Sequence, residues 1–140
     1  MDITVTEFTM GAYEQVYSLW EACDGIGLSS ADSRPNIEAY LERNPGLSLI
    51  AYDGPKVVGT ILGGHDGRRG YIHHLAVRSD YRHRGIGRML VEKSLAALQL
   101  ADIQKCHLFI FHNNTGAIDF WKSLDWTYRQ DIGVVSKIIT

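Results

Sequence analysis

Residues 70–88 read Gly-Tyr-Ile-His-His-Leu-Ala-Val-Arg-Ser-Asp-Tyr-Arg-His-Arg-Gly-Ile-Gly-Arg, and the other elements of the chain can be placed around them. Tyr71 to Val77 is apolar and β-prone apart from two histidines, which predicts a strand. From Ile86 to Leu100 apolar residues recur at helical spacing, which predicts a long amphipathic helix. Gly85 and Gly87 therefore lie at the beginning of a helix, shortly after a strand.

Three arginines flank these glycines, at positions 82, 84 and 88. The first turn of a helix has four N–H groups without partners, and the helix dipole places partial positive charge there. Glycine lacks a Cβ, so a ligand can approach the backbone closely. The pattern predicts a binding site for a phosphate or pyrophosphate. The alternative is a solvated basic loop with a glycine at the helix N-cap.

Two common phosphate-binding motifs fit this stretch poorly. A P-loop requires Lys and Ser or Thr directly after its second glycine, and Gly87 is followed by Arg88. A dinucleotide-binding fingerprint requires a third glycine, and this chain has Leu90 at that position. In the fingerprint the strand also runs directly into the first glycine, whereas the predicted strand here ends at Val77, well before Gly85. A dinucleotide-dependent oxidoreductase is therefore kept only as a weak alternative.

Three segments together resemble the GNAT superfamily of N-acetyltransferases, and in particular its small stand-alone bacterial members. They are Arg82-x-x-Gly85-x-Gly87 after the strand end Leu75-Ala76-Val77, the stretch from Asn114 to Trp126, and the stretch from Val58 to Gly70. The resemblance implies that acetyl-CoA binds with its pyrophosphate on the glycine loop, and that Asn114 lies near the pantetheine arm. The cofactor-binding residues that it implies are Leu75, Ala76, Val77, Arg82, His83, Arg84, Gly85, Ile86, Gly87, Arg88, Asn113, Asn114, Phe120 and Trp121.

The predicted order of elements is β-α-α-β-β-β-α-β-α-β-β, an α/β (α+β) arrangement that also resembles the GNAT fold. We expect one domain over residues 1–140, with a central mixed, mostly antiparallel twisted sheet of about six to seven strands and about four helices. The predicted strands are residues 3–8, 47–52, 57–63, 71–77 and 105–111, with further strands near Tyr128 and at 134–139. The predicted helices are residues 10–23, 35–43, 86–100 and a last helix through Leu124 that Asn113 or Asn114 caps.

Two positions depart from the family pattern. Asp125 replaces a glycine, which we expect to alter only a helix C-terminus. Trp121 replaces the tyrosine that commonly protonates the leaving CoA thiolate in the family. An indole N–H has no useful acidity, so Trp121 is expected to form an apolar wall instead.

Amine acetylation needs a base, because only the neutral amine attacks the thioester. His73 and His74 lie on the strand before the glycine loop, and regular strand alternation predicts that they point to opposite faces. Either is a candidate base, and either could instead be structural; His112 is a further candidate. The resemblance implies that residues 24–34 face the acceptor, where Asp24 and Asp32 would pair with an ammonium or cap the neighbouring helices.

Charge, cysteine content and hydropathy limit the classes of partner and the compartments that this chain fits. The net charge of −2 argues against general nucleic-acid binding, although arginines are concentrated between residues 68 and 88. Cys23 and Cys106 are isolated and lack metal-ligand spacing, which predicts a reduced cytoplasmic protein without a metal. No apolar run reaches the ~20 residues of a membrane span, and no signal peptide is recognised. The oligomeric state, a homodimer included, is left open.

The sequence thus predicts a cytoplasmic acetyl-CoA-dependent N-acetyltransferase. We expect the acetyl group to pass directly to a primary amine of a small molecule or a protein within a ternary complex. The alternative is a non-catalytic acyl-CoA-binding or sensing domain, which the tryptophan at position 121 favours.

Overall fold

The computed structural model describes residues 2–140 and divides them into two compact units, one ending at Phe109 and one beginning at Ile110. The first unit holds strands β1 (Ile3–Glu7), β2 (Leu49–Asp53), β3 (Lys56–His65), β4 (Gly70–Val77) and β5 (Cys106–Leu108), and helices α1 (Tyr13–Ala22), α2 (Arg34–Arg43) and α3 (Ile86–Leu100). The second unit holds helix α4 (Thr115–Ser123). The predicted order of elements is confirmed as far as α4.

The five strands form one mixed sheet in the order β1-β2-β3-β4-β5. The first four pair antiparallel, and β5 pairs parallel with β4. The mixed α/β class is therefore confirmed, with fewer strands than predicted. β5 covers only Cys106–Leu108 of the seven-residue strand expected at 105–111.

The two strands predicted after α4 are absent from the described residues. The segment that follows α4 is apolar enough for a strand, yet Val135 is 99% and Ile139 is 93% exposed. Apolar, β-branched composition reports how well a segment would fit a sheet, and a strand still requires a partner for its backbone. Here the backbone of residues 127–140 joins no ladder.

Helices cover both faces of the sheet. On one face α1 and α2 bury an apolar cluster that includes Val16, Trp20, Ile37 and Leu62. On the other face α3 packs through residues such as Leu98.

Two consecutive glycines in β3 allow this close packing. A Cβ on Gly63 would lie 2.5 Å from the Leu47 carbonyl oxygen and 2.6 Å from Ser94 Oγ of α3. A Cβ on Gly64 would lie 2.4 Å from the Tyr40 hydroxyl of α2. Neighbouring strand residues point to opposite faces, so each glycine makes room for a different helix.

Helices α3 and α4 end in the same way. The residue after each C-cap is an aspartate in the left-handed conformation, Asp102 with φ 63° and Asp125 with φ 68°. The amide of the following residue donates back to the helix: Ile103 N to Leu98 O at 3.1 Å and Trp126 N to Trp121 O at 3.1 Å. This is the Schellman arrangement, in which glycine is the usual left-handed residue. Asp125 thus lies at a helix C-terminus, as expected.

Over residues 2–140, no helix has the length and apolar character needed to cross a membrane.

Candidate functional site

Strand β4 contains a β-bulge at its centre. Thr60 of β3 pairs with Ala76, but Leu62 pairs with His73, so His74 and Leu75 together lie opposite a single β3 residue. His74 has φ 48°, a left-handed conformation that is rare for a residue in a strand. A bulge interrupts the ladder, turns side chains and leaves backbone groups without a ladder partner.

The bulge overturns the expectation that the two histidines point to opposite faces. His74 contacts Trp20 of α1, with the ring centroids 5.0 Å apart and nearly perpendicular. His73 contacts Tyr40 of α2, with centroids 6.2 Å apart. Both imidazoles therefore meet the helical layer formed by α1 and α2. Regular alternation fails here because the bulge inserts one residue between His73 and the register of Ala76.

His74 forms a pair with a buried carboxylate. Its Nε2 atom lies 2.7 Å from Asp32 Oδ1, and Asp32 is only 4% exposed. The second oxygen of Asp32, Oδ2, accepts the amide of Ser29 at 3.0 Å, which closes a capping box around the short 3₁₀ turn Ser30–Asp32. The Tyr13 hydroxyl donates to the backbone oxygen of Asp32 at 2.6 Å. The loop before α2 is thus fastened to both α1 and β4.

His73 has an apolar environment. Its ring is near those of Tyr40 and Phe109, each with a centroid distance of 6.2 Å. Burial is the largest influence on the pKa of His73 and lowers it; His74 lowers this pKa further, and Asp32 raises it. The neutral form of His73 is therefore favoured near neutral pH.

The β4–β5 ladder ends just before His73. Parallel pairing covers Gly70–Ile72 of β4 and Cys106–Leu108 of β5, and Phe109 is the residue that follows β5. The Phe109 ring also lies 6.4 Å from Tyr71, and its side chain is 64% exposed. An exposed aromatic surface therefore adjoins the bulged part of β4.

The glycine loop begins α3 as predicted. Gly85 is the N-cap residue with φ 81°, and it has no side chain with which to cap the first turn. No acidic residue lies in that turn. A Cβ on Gly85 would meet no atom within 4 Å, so the space beside the backbone is open. His83 also has a positive φ, 62°. Backbone N–H groups at such a loop and helix start can bind an anion.

The three arginines have different surroundings. Arg82 Nε donates to the Val77 carbonyl oxygen at 3.1 Å, so Arg82 holds the loop against the end of β4. The Arg84 guanidinium lies over the Tyr81 ring, 5.4 Å from its centroid. Arg88 forms an exposed pair with Glu92 at 2.9 Å.

In the first unit, two predicted cofactor-binding residues have buried side chains, as Trp121 does in the second unit. Ala76 and Ile86 are 3% and 2% exposed and belong to the packed interior. Only their backbone can serve a ligand. Leu75 and Val77 are partly exposed, and Gly87 lies in the first turn of α3.

The second unit carries the other predicted site residues. Asn114 caps α4, and its side-chain oxygen accepts the amide of Ala117 at 3.2 Å, while Asn113 is exposed. Trp121 packs against Phe120 and Trp126, with centroids 5.3 and 4.7 Å away. The His112 Nδ1 atom contacts the Tyr128 hydroxyl in a hydrogen bond.

The sequence did not indicate the pairing of Asp32 with His74. The one local signal was Ser29-Ser-Ala-Asp32, the spacing of a capping box, which accounts for one carboxylate oxygen. Nothing local indicated that the other oxygen would meet a histidine 42 residues away. Within residues 2–140, no group of three His, Cys, Asp or Glu side chains is arranged to hold a metal ion.

Comparison with known proteins gives a consistent result. Residues 13–126 match the family model described as the acetyltransferase (GNAT) family. An acetyltransferase of Sodalis glossinidius (strain morsitans) is 33% identical over 98% of this chain and 94% of its own length. An acetyltransferase of Pectobacterium atrosepticum is 33% identical over 85% of this chain and 84% of its own length.

Solved structures show the same fold at lower identity. Ard1 from Thermoplasma volcanium superposes with a TM-score of 0.78 at 22% identity, over 89% of this chain and 82% of that one. The PaiA N-acetyltransferase of Thermoplasma acidophilum, solved in complex with coenzyme A, superposes with a TM-score of 0.74 at 15% identity, over 89% of each chain.

Proposed function

Because the chain belongs to the GNAT family of N-acetyltransferases, we propose that it transfers the acetyl group of acetyl-CoA directly to a primary amine in a ternary complex. The amine belongs to a small molecule or to a protein. The observation that carries this proposal is that three structural features follow one another along one stretch of the chain. A bulged strand with a carboxylate-paired histidine leads into an uncapped glycine N-terminus of α3.

The N-terminus of α3 supports a site for the pyrophosphate of acetyl-CoA. Glycine at position 85 leaves the backbone open on one side, and the first turn offers N–H groups and the positive end of the helix dipole. His83, Arg84 and Arg88 add polar and charged groups beside it. In this proposal Arg82 shapes the loop through its bond to Val77. The roles of Asn113, Asn114, Phe120 and Trp121 in binding acetyl-CoA rest on the resemblance and stay predictions.

His74 is the base that the geometry favours. An aliphatic ammonium has a pKa of ~10.4, so it must lose a proton before its nitrogen can attack. His74 accepts this proton on the ring nitrogen that does not face Asp32, and the buried carboxylate stabilises the resulting imidazolium. His73, whose pKa is lowered by burial, has only aromatic rings as its closest partners and is the second candidate.

The remaining steps follow from the thioester. The amine nitrogen forms a bond to the acetyl carbon, and the carbonyl oxygen becomes negatively charged. Backbone N–H groups outside the ladder at the bulge of β4 suit this charge. The carbon–sulfur bond then breaks and its electron pair leaves with sulfur as the CoA thiolate, whose thiol has a pKa of only ~8.5. The nitrogen gives its second proton to water, and His74 returns the first proton to water. The products are the acetylated amine and CoA.

The test is thiol release from acetyl-CoA with a panel of primary amines, combined with single histidine variants. His74→Ala should lower kcat by at least about 100-fold and leave acetyl-CoA affinity nearly unchanged. His107→Ala is the matched control, because His107 is a histidine on β5 of the same sheet and has no assigned role. Its kcat should stay within about twofold of wild type, since surface changes away from a site have small effects.

Two results would contradict the proposal. A protein that binds acetyl-CoA but acetylates no amine in the panel would be an acyl-CoA-binding domain, as the alternative states. Normal turnover by His74→Ala, together with a large loss in His73→Ala or His112→Ala, would move the base to one of those residues.

A further inference from the structure

We propose that Asp32 is a positioning residue that fixes the tautomer of His74, so that Nδ1 is the nitrogen that accepts the proton. The inference rests on the proposed role of His74 as the base. It assigns a function to the loop between α1 and α2 that capping alone does not explain.

Asp32 is a buried carboxylate with a partner at each oxygen. A buried carboxylate is stable only when its oxygens accept hydrogen bonds or meet a positive charge. Oδ2 accepts the Ser29 amide, and Oδ1 faces His74 Nε2 at 2.7 Å. An ionised carboxylate can only accept, so Nε2 must carry the hydrogen. In the neutral imidazole the lone pair then lies on Nδ1.

Several other groups hold the Asp32 carboxylate and the His74 ring in this orientation. The Ser29 amide and the Tyr13 hydroxyl hold the side chain and the backbone of Asp32, respectively. The Trp20 ring lies against the imidazole at an interplanar angle of 65°, which limits rotation of the His74 ring. The acceptor and its supports come from α1 and the 3₁₀ turn, so the imidazole is oriented by elements outside its own strand.

His74 also has an unusual backbone conformation. A left-handed conformation is unfavourable for a residue other than glycine, and such conformations are concentrated at functional sites. At φ 48° His74 is held in this conformation by the bulge and by its bond to Asp32. A buried imidazole N–H needs an acceptor, but a backbone carbonyl would supply one without the cost of burying a carboxylate. The combination of unusual backbone and oriented ring is what a positioned base requires.

The experiment is nitrogen NMR of the full chain labelled at histidine, recorded over a pH series whose alkaline end shows the tautomer of the neutral ring. The His74 signals are assigned by their loss in His74→Gln. We expect wild-type His74 to carry its hydrogen on Nε2. This measurement needs no folded Asp32 variant and no activity.

Kinetics then separate positioning from folding. Asp32→Asn should change the tautomer population of His74 and lower kcat by about 100-fold or more, with the KM for acetyl-CoA within about twofold. Asp32→Glu, which keeps the carboxylate, should recover part of kcat. Asp102→Asn is the matched control: it makes the same carboxylate-to-amide change in the left-handed residue after α3, a conformation that asparagine tolerates. In this variant the His74 tautomer and kcat should be those of wild type.

The outcomes distinguish this inference from the proposed function. A wild-type His74 with its hydrogen on Nδ1 overturns the inference, whatever the activity. The same is true if Asp32→Asn folds and keeps the wild-type kcat. Absence of amine acetylation by the wild-type protein instead overturns the proposed function.

Discussion

Replacing Gly85 tests whether acetyl-CoA lies on the N-terminus of α3. Gly85 has φ 81° and ψ 6°, so Gly85→Ala forces a Cβ into the left-handed region at about 1–2 kcal/mol. The smaller conformational entropy of the unfolded variant offsets about 0.4–1 kcal/mol of this. The new Cβ meets no atom within 4 Å, so steric overlap adds nothing and the net loss is about 1 kcal/mol. For a chain of this size that lowers the melting temperature by roughly 3–6 °C.

Gly85→Asn separates this backbone effect from binding. Asparagine adopts the left-handed conformation more readily than alanine and is a good N-cap, so the variant should fold nearly as stably as wild type. If a phosphate approaches the backbone at this point, the added side chain lies in its way. We then expect acetyl-CoA affinity to fall at least about tenfold in both variants, a change of ~1.4 kcal/mol.

Gly67 provides the matched control. It has φ 91°, a Cβ there would also meet no atom within 4 Å, and it lies in the turn between β3 and β4. Gly67→Ala and Gly67→Asn should show the same small stability changes with unchanged acetyl-CoA affinity. Thermal unfolding and isothermal titration of the four variants decide the matter. A Gly85→Asn protein that binds acetyl-CoA like wild type would refute the assignment of the loop.

Four further predictions use single variants. Tyr40→Phe should raise the unfolding free energy by about 1 kcal/mol in denaturant titrations, because it removes a buried hydroxyl that has no hydrogen-bond partner among the described residues; a loss of stability would show that a partner exists. The lowered pKa of His73 means that the folded state binds its proton less readily than the unfolded chain, so the unfolding free energy should decrease as pH falls below about 6.5. His73→Leu should flatten that decrease, and equal slopes in the two proteins would contradict it. Asn114→Ala should lose about 1 kcal/mol by losing the cap on Ala117, and also some acetyl-CoA affinity; lost stability with normal affinity would leave only the cap. Trp121→Phe should keep kcat within about tenfold, since another ring can rebuild an apolar wall, whereas a loss of several orders of magnitude at normal acetyl-CoA binding would mean that the indole N–H takes part in the reaction.

Local patterns in the sequence predicted the glycine loop and the helix that follows it. The spacing of apolar residues predicted α3. Gly85 precedes its first turn in the left-handed conformation, which a residue without a Cβ adopts readily. Asn114 was one of two predicted caps for α4, and the structure selects it over Asn113. In each case the physical cause lies within a few residues of the element.

The features that were missed depend on distant parts of the chain. The prediction that His73 and His74 face opposite ways assumed an unbroken period of two, and a bulge depends on the partner strand as much as on its own residues. The bond between Asp32 and His74 joins two elements that no pattern relates. The strands predicted after α4 were inferred from composition, which carries no information on whether a partner strand is in place.

Asp102 and Asp125, which follow the C-caps of α3 and α4, make the protein less stable than glycine would at the same positions. Both lie outside the glycine loop. At both positions a left-handed residue is required, and both aspartates also carry negative charge next to the negative end of a helix dipole. Glycine at either position would relieve the strain and the repulsion together. Natural proteins commonly lie only somewhat above the stability that function demands, and changes of this kind add to it at little functional cost. Asp102→Gly and Asp125→Gly therefore form a tolerant background, in which destabilising replacements at the bulge of β4 can be made and their catalytic effects measured in a protein that still folds.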